Sequence, residues 1–148
     1  MPRALVIGGS VGGLFAASLL RTVGWDVAVF EKSTGALSGR GAGLGLSREL
    51  FEVMRRAGAE IDASIGVACP SLLQLDRGWT SGIWSRVYRA LQDAVPDDIV
   101  FTGRSLERVT QDDSGVQAHF ADGGTEAGDL LVACDGVYSG VRGQYLPG

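Results

Sequence analysis

The chain has 148 residues, of which 45% are hydrophobic and 20% charged, and its formal net charge at pH 7 is −4. This length suits one domain with a single core, and the composition is globular rather than disordered. One lysine and twelve scattered arginines argue against a nucleic-acid surface, which needs clustered cations.

Residues 4–20 carry no charge, but they include four glycines and are fewer than the roughly 20 apolar residues of a membrane span. They predict a strand and a helix rather than a membrane anchor. Cys69 and Cys134 are too few and too far apart for a disulfide framework or a zinc site. We therefore expect two reduced thiols, no metal and a cytoplasmic location.

The first 30 residues have the pattern of a strand–helix–strand unit. Residues 4–7 predict a strand buried on both faces, and residues 14–23 predict a helix with Gly24 as its left-handed cap. Residues 26–30 predict the second strand. Such a unit implies two parallel strands joined by a right-handed crossover.

The middle of the chain predicts irregular backbone followed by helices. Residues 33–45 contain five glycines and no helical period, which indicates a backbone that closely approaches another group. Residues 48–57 predict a helix that ends at Gly58, and residues 72–75 a strand. Residues 84–94 predict another helix, with one apolar face formed by Trp84, Val87, Tyr88 and Leu91.

The last third of the chain has the alternating pattern and the turns that are typical of β-strands. A turn at residues 111–115 separates Val109 from the alternating Val116, Ala118 and Phe120, which predicts a half-exposed β-hairpin. A second turn leads to residues 129–133, predicted to be a buried strand that runs into Asp135 and Gly136.

The first chemical motif is GGSVGG at residues 8–13, between the predicted strand and helix. The first glycine permits a tight turn, the last permits close helix–strand packing, and the helix start offers N–H groups to a pyrophosphate. Ser10 replaces the middle glycine of G-x-G-x-x-G, and its hydroxyl can donate to a phosphate oxygen. A glycine-rich turn without a ligand has the same pattern, so this motif alone is weak evidence.

Glu31 strengthens the case, because it closes the second strand 23 positions after Gly8. A carboxylate there accepts hydrogen bonds from an adenosine ribose and repels a 2′-phosphate, which favours FAD or NAD over NADP. A solvated strand end is the plainer reading of Glu31. A second motif, Asp135-Gly136, follows another strand, and an ordinary Asp-Gly turn is its plainer reading.

Three segments, GGSVGGLFAASLL, VAVFEKS and LLVACDGVYSGVR, together resemble the class A flavoprotein aromatic hydroxylases, the single-component FAD monooxygenases. The Gly-Gly-Ser form of the first is similar to enzymes of the 2,6-dihydroxypyridine hydroxylase type. An NAD dehydrogenase would explain the first two segments but not the third.

The resemblance implies an incomplete α/β fold, a Rossmann-type FAD-binding domain with a parallel sheet plus a β-hairpin. Residues 1–148 would be its N-terminal part, without the family's substrate domain and second FAD motif. The implied activity is hydroxylation of a small aromatic or heteroaromatic substrate with FAD, NADH or NADPH, and O₂, and this part is expected to be inactive alone. The expected partners further include the remainder of the same chain, with a homodimer left open and neither nucleic acid nor membrane.

By resemblance, the cofactor is held by the glycine turn, two strand ends and nearby loops: Gly8, Ser10, Val11, Gly12, Gly13, Glu31, Lys32, Arg40, Gly45, Arg86 and Asp135. Arg86 enters this set as a substitute for an arginine that relatives carry where this chain has Trp84. No residue is assigned as catalytic. Two alternatives stay open, a related flavin halogenase or epoxidase and a non-catalytic nucleotide-binding module.

Overall fold

The computed structural model describes residues 1–35, 37, 43–61, 65–69 and 79–146. The predicted strand at residues 72–75 and the predicted cofactor residue Arg40 lie outside these ranges. The helices and strands are, in chain order, β1 (Arg3–Ile7), α1 (Val11–Thr22), β2 (Asp26–Glu31), β3 (Gly43–Leu46), α2 (Arg48–Arg56), β4 (Gly66–Cys69), β5 (Trp79–Ile83), α3 (Trp84–Ala94), β6 (Val100–Thr102), β7 (Leu106–Asp112), β8 (Gly115–Phe120), β9 (Thr125–Gly128), β10 (Leu130–Ala133) and α4 (Gly140–Tyr145).

A four-stranded parallel sheet with the order β10–β1–β2–β6 forms the centre of the fold. The predicted strand–helix–strand unit and its parallel pairing are confirmed. Gly24 has φ +87° and follows α1 as expected. Because all four strands run the same way, their carboxyl ends meet at one edge, where ligands bind in open α/β sheets.

Apolar side chains alternate between the two faces of this sheet. Val6 and Val29 point into a core shared with the three longer helices, which includes Leu14 and Leu91. The intervening residues Leu5, Ile7, Ala28 and Phe30 pack instead against Ala118 and Phe120 of β8. The sheet is therefore covered by helices on one face and by a second sheet on the other, as a buried parallel sheet requires.

The covering sheet has three antiparallel strands in the order β7–β8–β9. The predicted hairpin forms its first two strands, and the alternating burial of Val116, Ala118 and Phe120 is confirmed. The third strand, β9, was not expected from the sequence. Gln144 of α4 accepts a hydrogen bond from the backbone N–H of Val109 at 3.0 Å, which fastens α4 to this sheet.

Two sequence predictions need correction. Strand β10 forms as expected but is half-exposed rather than buried, because it occupies the edge of the parallel sheet. The predicted irregular segment at residues 33–45 ends in strand β3, which pairs with β5 in a second antiparallel sheet of order β3–β5–β4.

In the part of the chain that the structure describes, none of the helices has the length and apolar character needed to span a bilayer. The same residues contain no group of His, Cys, Asp and Glu arranged to hold a metal ion.

Candidate nucleotide-binding site

The glycine turn after β1 is enclosed by the protein on several sides. Gly8 has φ +107°, and its N–H donates to the carbonyl of Phe30 at 2.8 Å. A Cβ at Gly8 would lie 2.3 Å from the Cys134 carbonyl oxygen, and a Cβ at Gly13 would lie 1.7 Å from the Gly8 carbonyl oxygen. Both positions require glycine, because any side chain would collide with backbone atoms.

The start of α1 is not capped by its own side chains. Ser10 is the N-cap residue in extended conformation, but its hydroxyl makes no capping hydrogen bond, and the first turn holds no acidic residue. By contrast, Ser47 caps α2 by accepting from Leu50 N–H at 3.2 Å, and Ser139 caps α4 by accepting from Arg142 N–H at 3.0 Å. The first-turn amides and partial positive charge of α1 are therefore available to an anion.

Glu31 is held rigidly beside this helix start. One carboxylate oxygen accepts from Gly9 N–H at 2.7 Å, and the other accepts from Ser33 N–H at 2.8 Å. The residue is only 9% exposed, so the carboxylate points back toward the glycine turn rather than into solvent. Each carboxylate oxygen can accept about two hydrogen bonds, which leaves capacity for sugar hydroxyls.

The negative charge of Glu31 affects the ionisation of a neighbouring core residue, Tyr88. Burial, and after it the negative charge of Glu31, raises the pKa of the Tyr88 phenol. The ring of Tyr88 stacks on Trp84, with centroids 5.0 Å apart and planes at 6°. Tyr88 is therefore protonated at neutral pH, and its ring packs against that of Trp84.

Asp135 lies at the end of β10, on the neighbouring side of the glycine turn. Its Oδ2 accepts a long hydrogen bond, 3.4 Å, from Val141 N–H. Its Oδ1 is buried and has no hydrogen-bond partner among the described residues. A buried carboxylate oxygen without a donor costs free energy, so this atom fits a donor supplied by a ligand.

Cys134 precedes Asp135 and is half-buried rather than fully buried. Burial, and secondarily the charge of Asp135, raises the pKa of its thiol. The side chain is therefore a neutral thiol near pH 7.

A cavity of about 390 Å³ lies at the carboxyl edge of the parallel sheet, between the glycine turn, Glu31 and Asp135. Its lining includes five of the predicted cofactor residues: Gly8, Ser10, Glu31, Lys32 and Asp135. Val11, Gly12 and Gly13 form the first turn of α1 directly after Ser10. Among the described residues, the atom nearest to a Cβ at Gly12 would be Cys134 Sγ at 3.9 Å, so their packing does not explain that glycine.

Two predicted cofactor residues lie elsewhere. Gly45 is exposed in β3, within the second antiparallel sheet. Arg86 lines a separate, larger cleft of about 1040 Å³ between α2 and α3, together with Arg55 and Arg89. The lining of this cleft includes Gly58, with φ +79°, and the first turn of α3, which is likewise without a side-chain cap. It includes neither the fixed carboxylate of Glu31 nor Asp135, so the smaller cavity is the better candidate for a nucleotide.

Sequence reasoning missed several residues that line the cavity: Trp84, Arg104, Ser105, Leu106 and Tyr138. Arg104 and Ser105 follow β6, a strand of only three residues that has too short an apolar run to be recognised. Gly103, with φ +73° before Arg104, is the signal of a turn at that strand end. Trp84 was interpreted as a core aromatic residue, but it is half-buried and borders the cavity.

The residues present fit a dinucleotide cofactor. Uncapped amides of α1 suit a diphosphate, the fixed Glu31 carboxylate suits a ribose, and the unpaired Asp135 Oδ1 suits a further hydroxyl or N–H donor. The fold and site thus define a dinucleotide-binding α/β domain.

Comparison with known proteins indicates which kind of dinucleotide-binding domain this is. HpxO from Klebsiella pneumoniae, solved in complex with FAD as a variant, has the same fold with a TM-score of 0.79 and 25% sequence identity. The match covers 97% of this chain and 42% of HpxO. No protein-family model matches the chain.

Among curated proteins, the chain is similar to 2,6-dihydroxypyridine 3-monooxygenase from Paenarthrobacter nicotinovorans, with 32% identity over 155 residues. It is also similar to 6-hydroxynicotinate 3-monooxygenase from Bordetella bronchiseptica, with 30% identity over 168 residues. The matches cover 97% and 98% of this chain but only 39% and 43% of the relatives. The homologues of the chain are thus FAD-dependent aromatic hydroxylases, as the three sequence motifs indicated.

Proposed function

We propose that residues 1–148 form the N-terminal part of the FAD-binding domain of a monooxygenase that hydroxylates an aromatic or heteroaromatic ring. The co-substrates would be O₂ and NADH or NADPH. The observation that carries the proposal is the uncapped start of α1 beside a carboxylate fixed on the same turn. The chain spans between 39% and 43% of the length of the curated relatives described above, which supports assigning it to one part of a larger domain.

Three groups of the chain would hold the cofactor. The amides of Val11, Gly12 and Gly13 would donate to the diphosphate, with the Ser10 hydroxyl as a further donor. The free lone pairs of Glu31 would accept from the adenosine ribose, while its bonds to two backbone amides keep the carboxylate in place. This preorganisation lowers the conformational entropy lost on binding.

Asp135 would hold the other half of the cofactor. Its Oδ1 has no hydrogen-bond donor among the described residues. Asp135 lines the same cavity as Ser10. A hydroxyl group of the cofactor chain between the diphosphate and the ring is the donor that we assign to it.

When bound, FAD supplies the acceptance of hydride from the nicotinamide and the activation of O₂. The chain supplies binding and orientation. Trp84 and Leu37 give the cavity wall apolar surface that excludes water from one side of the cofactor. We assign no acid, base or nucleophile within residues 1–148.

Lys32 lines the cavity beside Glu31 and is proposed as a further contact of the adenosine half. Arg40 and Gly45 remain proposed neighbours of the cofactor on the strength of the resemblance alone. The position of Arg86 in the separate cleft gives it no support from the geometry, and we leave it out of the binding set.

The partners that we propose for the whole protein are a small aromatic substrate, O₂ and the remainder of the same chain. A cytoplasmic location is proposed with them on the basis of the sequence, which leaves a homodimer open.

The test is to purify the full-length protein and record its absorption spectrum. We expect a yellow protein with flavin absorbance that oxidises NADH or NADPH when an aromatic substrate is added, and releases a hydroxylated product. A colourless protein that cannot be reconstituted with FAD contradicts the proposal. An epoxidised or halogenated product assigns the protein to the related flavin enzymes, and nucleotide binding without flavin identifies a non-catalytic module.

A further inference from the structure

Arg104 lies directly after β6 and is tied to the proposed ribose site through the backbone. Its N–H donates to the carbonyl of Glu31 at 2.9 Å. Its guanidinium carbon lies 4.4 Å from the ring centroid of Phe120 and 5.9 Å from that of Phe30. These are distances of a cation–π contact, in which a guanidinium packs flat on an aromatic face.

The guanidinium is fixed in this position. Its Nη1 is 2.8 Å from Asp122 Oδ2, and the side chain is only 25% exposed. Gly124 leaves the space that the group needs, since a Cβ there would lie 2.8 Å from Nη2. The planar group is therefore held by a ring, a carboxylate and a glycine, all contributed by the covering sheet or its turns.

Topology places Arg104 where the base of a bound dinucleotide would lie. The diphosphate site is at the end of β1, the ribose site is at the end of β2, and β6 pairs with β2 on the side away from β1. A nucleotide that follows this direction reaches the chain after β6. Arg104 lines the same cavity as Glu31 and Lys32, together with Ser105 and Leu106.

We propose that Arg104 is the stacking platform for the adenine base, with its guanidinium held between Phe120 and the purine ring. This inference rests on the proposed function, because it takes FAD as the ligand. Arg104 already pairs with Asp122, so its charge is largely balanced within the protein. Its contribution is therefore a flat surface for a purine rather than an ion pair with a phosphate.

The proposal is tested by measuring the affinity of the full-length protein for FAD, and for ADP and UDP as competitors. We expect Arg104→Ala to weaken FAD and ADP on the order of tenfold. UDP should weaken by about twofold or less, because its smaller pyrimidine ring stacks over less area. Arg104→Lys should resemble Arg104→Ala, since lysine keeps the charge but lacks the plane.

Two further variants control for folding and charge. Gly124→Ala pushes the guanidinium aside without removing it and should weaken FAD binding by an intermediate factor. Arg56→Ala removes an exposed arginine at the end of α2 and should leave all three affinities unchanged.

The outcomes separate the two proposals. A wild-type protein that does not bind FAD overturns the proposed function and the platform with it. If the wild-type protein binds FAD and Arg104→Ala binds it equally well, only the platform is overturned. Equal weakening of ADP and UDP also overturns it, because that result assigns Arg104 to the diphosphate or the ribose.

Discussion

Glycine turns follow the neighbouring strands β1 and β10 of the parallel sheet, and the two turns differ in how closely other backbone atoms pack against the glycine. Gly8, after β1, has φ +107° and space for no Cβ, because the Cys134 carbonyl oxygen would lie 2.3 Å from it. Gly136, after β10, has φ +86°, but a Cβ there would meet no atom of the described part of the chain within 4 Å. The first turn is thus determined by packing within the chain, whereas the second is determined by its backbone conformation alone.

The surroundings of the two turns differ in the same way. Beside the first, both oxygens of Glu31 are paired with backbone amides. Beside the second, Asp135 Oδ1 has no hydrogen-bond partner among the described residues, and Val137 and Tyr138 are 78% and 96% exposed. In the proposed site, the first turn would be the preformed half and the second the half that a bound ligand completes.

The largest effect is expected for Gly13→Ala, whose Cβ would lie 1.7 Å from the Gly8 carbonyl oxygen. Overpacking against backbone should lower the free energy of unfolding by about 3 kcal/mol or more, or prevent folding. Urea denaturation measures this change.

Gly12→Ala is the matched control for Gly13→Ala, because it adds the same methyl group one residue earlier, at an ordinary contact distance of 3.9 Å from Cys134 Sγ. It should leave stability unchanged or raise it by up to about 1 kcal/mol through helix propensity. FAD affinity should nevertheless fall, since the methyl group would stand where the diphosphate approaches. Equal destabilisation by both variants would contradict the packing account of the first turn.

Next in size is the effect of Glu31→Gln. The amide can no longer accept from both Gly9 and Ser33, so one backbone N–H loses its partner, at a cost of about 1–3 kcal/mol. FAD affinity, measured by quenching of flavin fluorescence, should fall by roughly tenfold or more. Glu31→Ala should weaken FAD retention further. Glu52→Gln, at an exposed position of α2, should change neither quantity; unaltered FAD affinity in Glu31→Gln would remove Glu31 from the site.

Gly136→Ala is expected to have a smaller and more local effect. A positive φ costs an L-residue about 1–2 kcal/mol, and no steric clash adds to that cost. Thermal unfolding should show this modest loss, and Gly140→Ala, which also enters open space but has no positive φ, should show almost none. A loss as large as that of Gly13→Ala would mean that the second turn is packed after all.

The smallest effect concerns the Cys134 thiol. Because burial and the charge of Asp135 raise its pKa, alkylation near pH 8 should be slower than for an unhindered thiol and should accelerate only at higher pH. Asp135→Asn should shift this pH profile toward lower pH. The rates are best followed with iodoacetamide in a Cys69→Ser background. A profile midpoint at or below the ordinary thiol pKa would contradict the assignment.

The sequence predicted the preformed half of the site better than the other elements, and the reason is physical. Gly8, Gly13 and Glu31 are needed by local geometry, so the motif and its spacing disclose them. Arg104 acts through Phe120 and Asp122, which are distant in sequence, and no local pattern marks it. The edge position of β10 and the third strand β9 likewise depend on pairing across the chain, which periodicity cannot show.

The most direct test of the account is a crystal structure of the protein with FAD. We predict diphosphate oxygens within hydrogen-bond distance of the first-turn amides of α1, and ribose hydroxyls donating to Glu31. A nucleotide bound instead in the arginine-lined cleft between α2 and α3, or one that leaves Glu31 without a ligand contact, would contradict it.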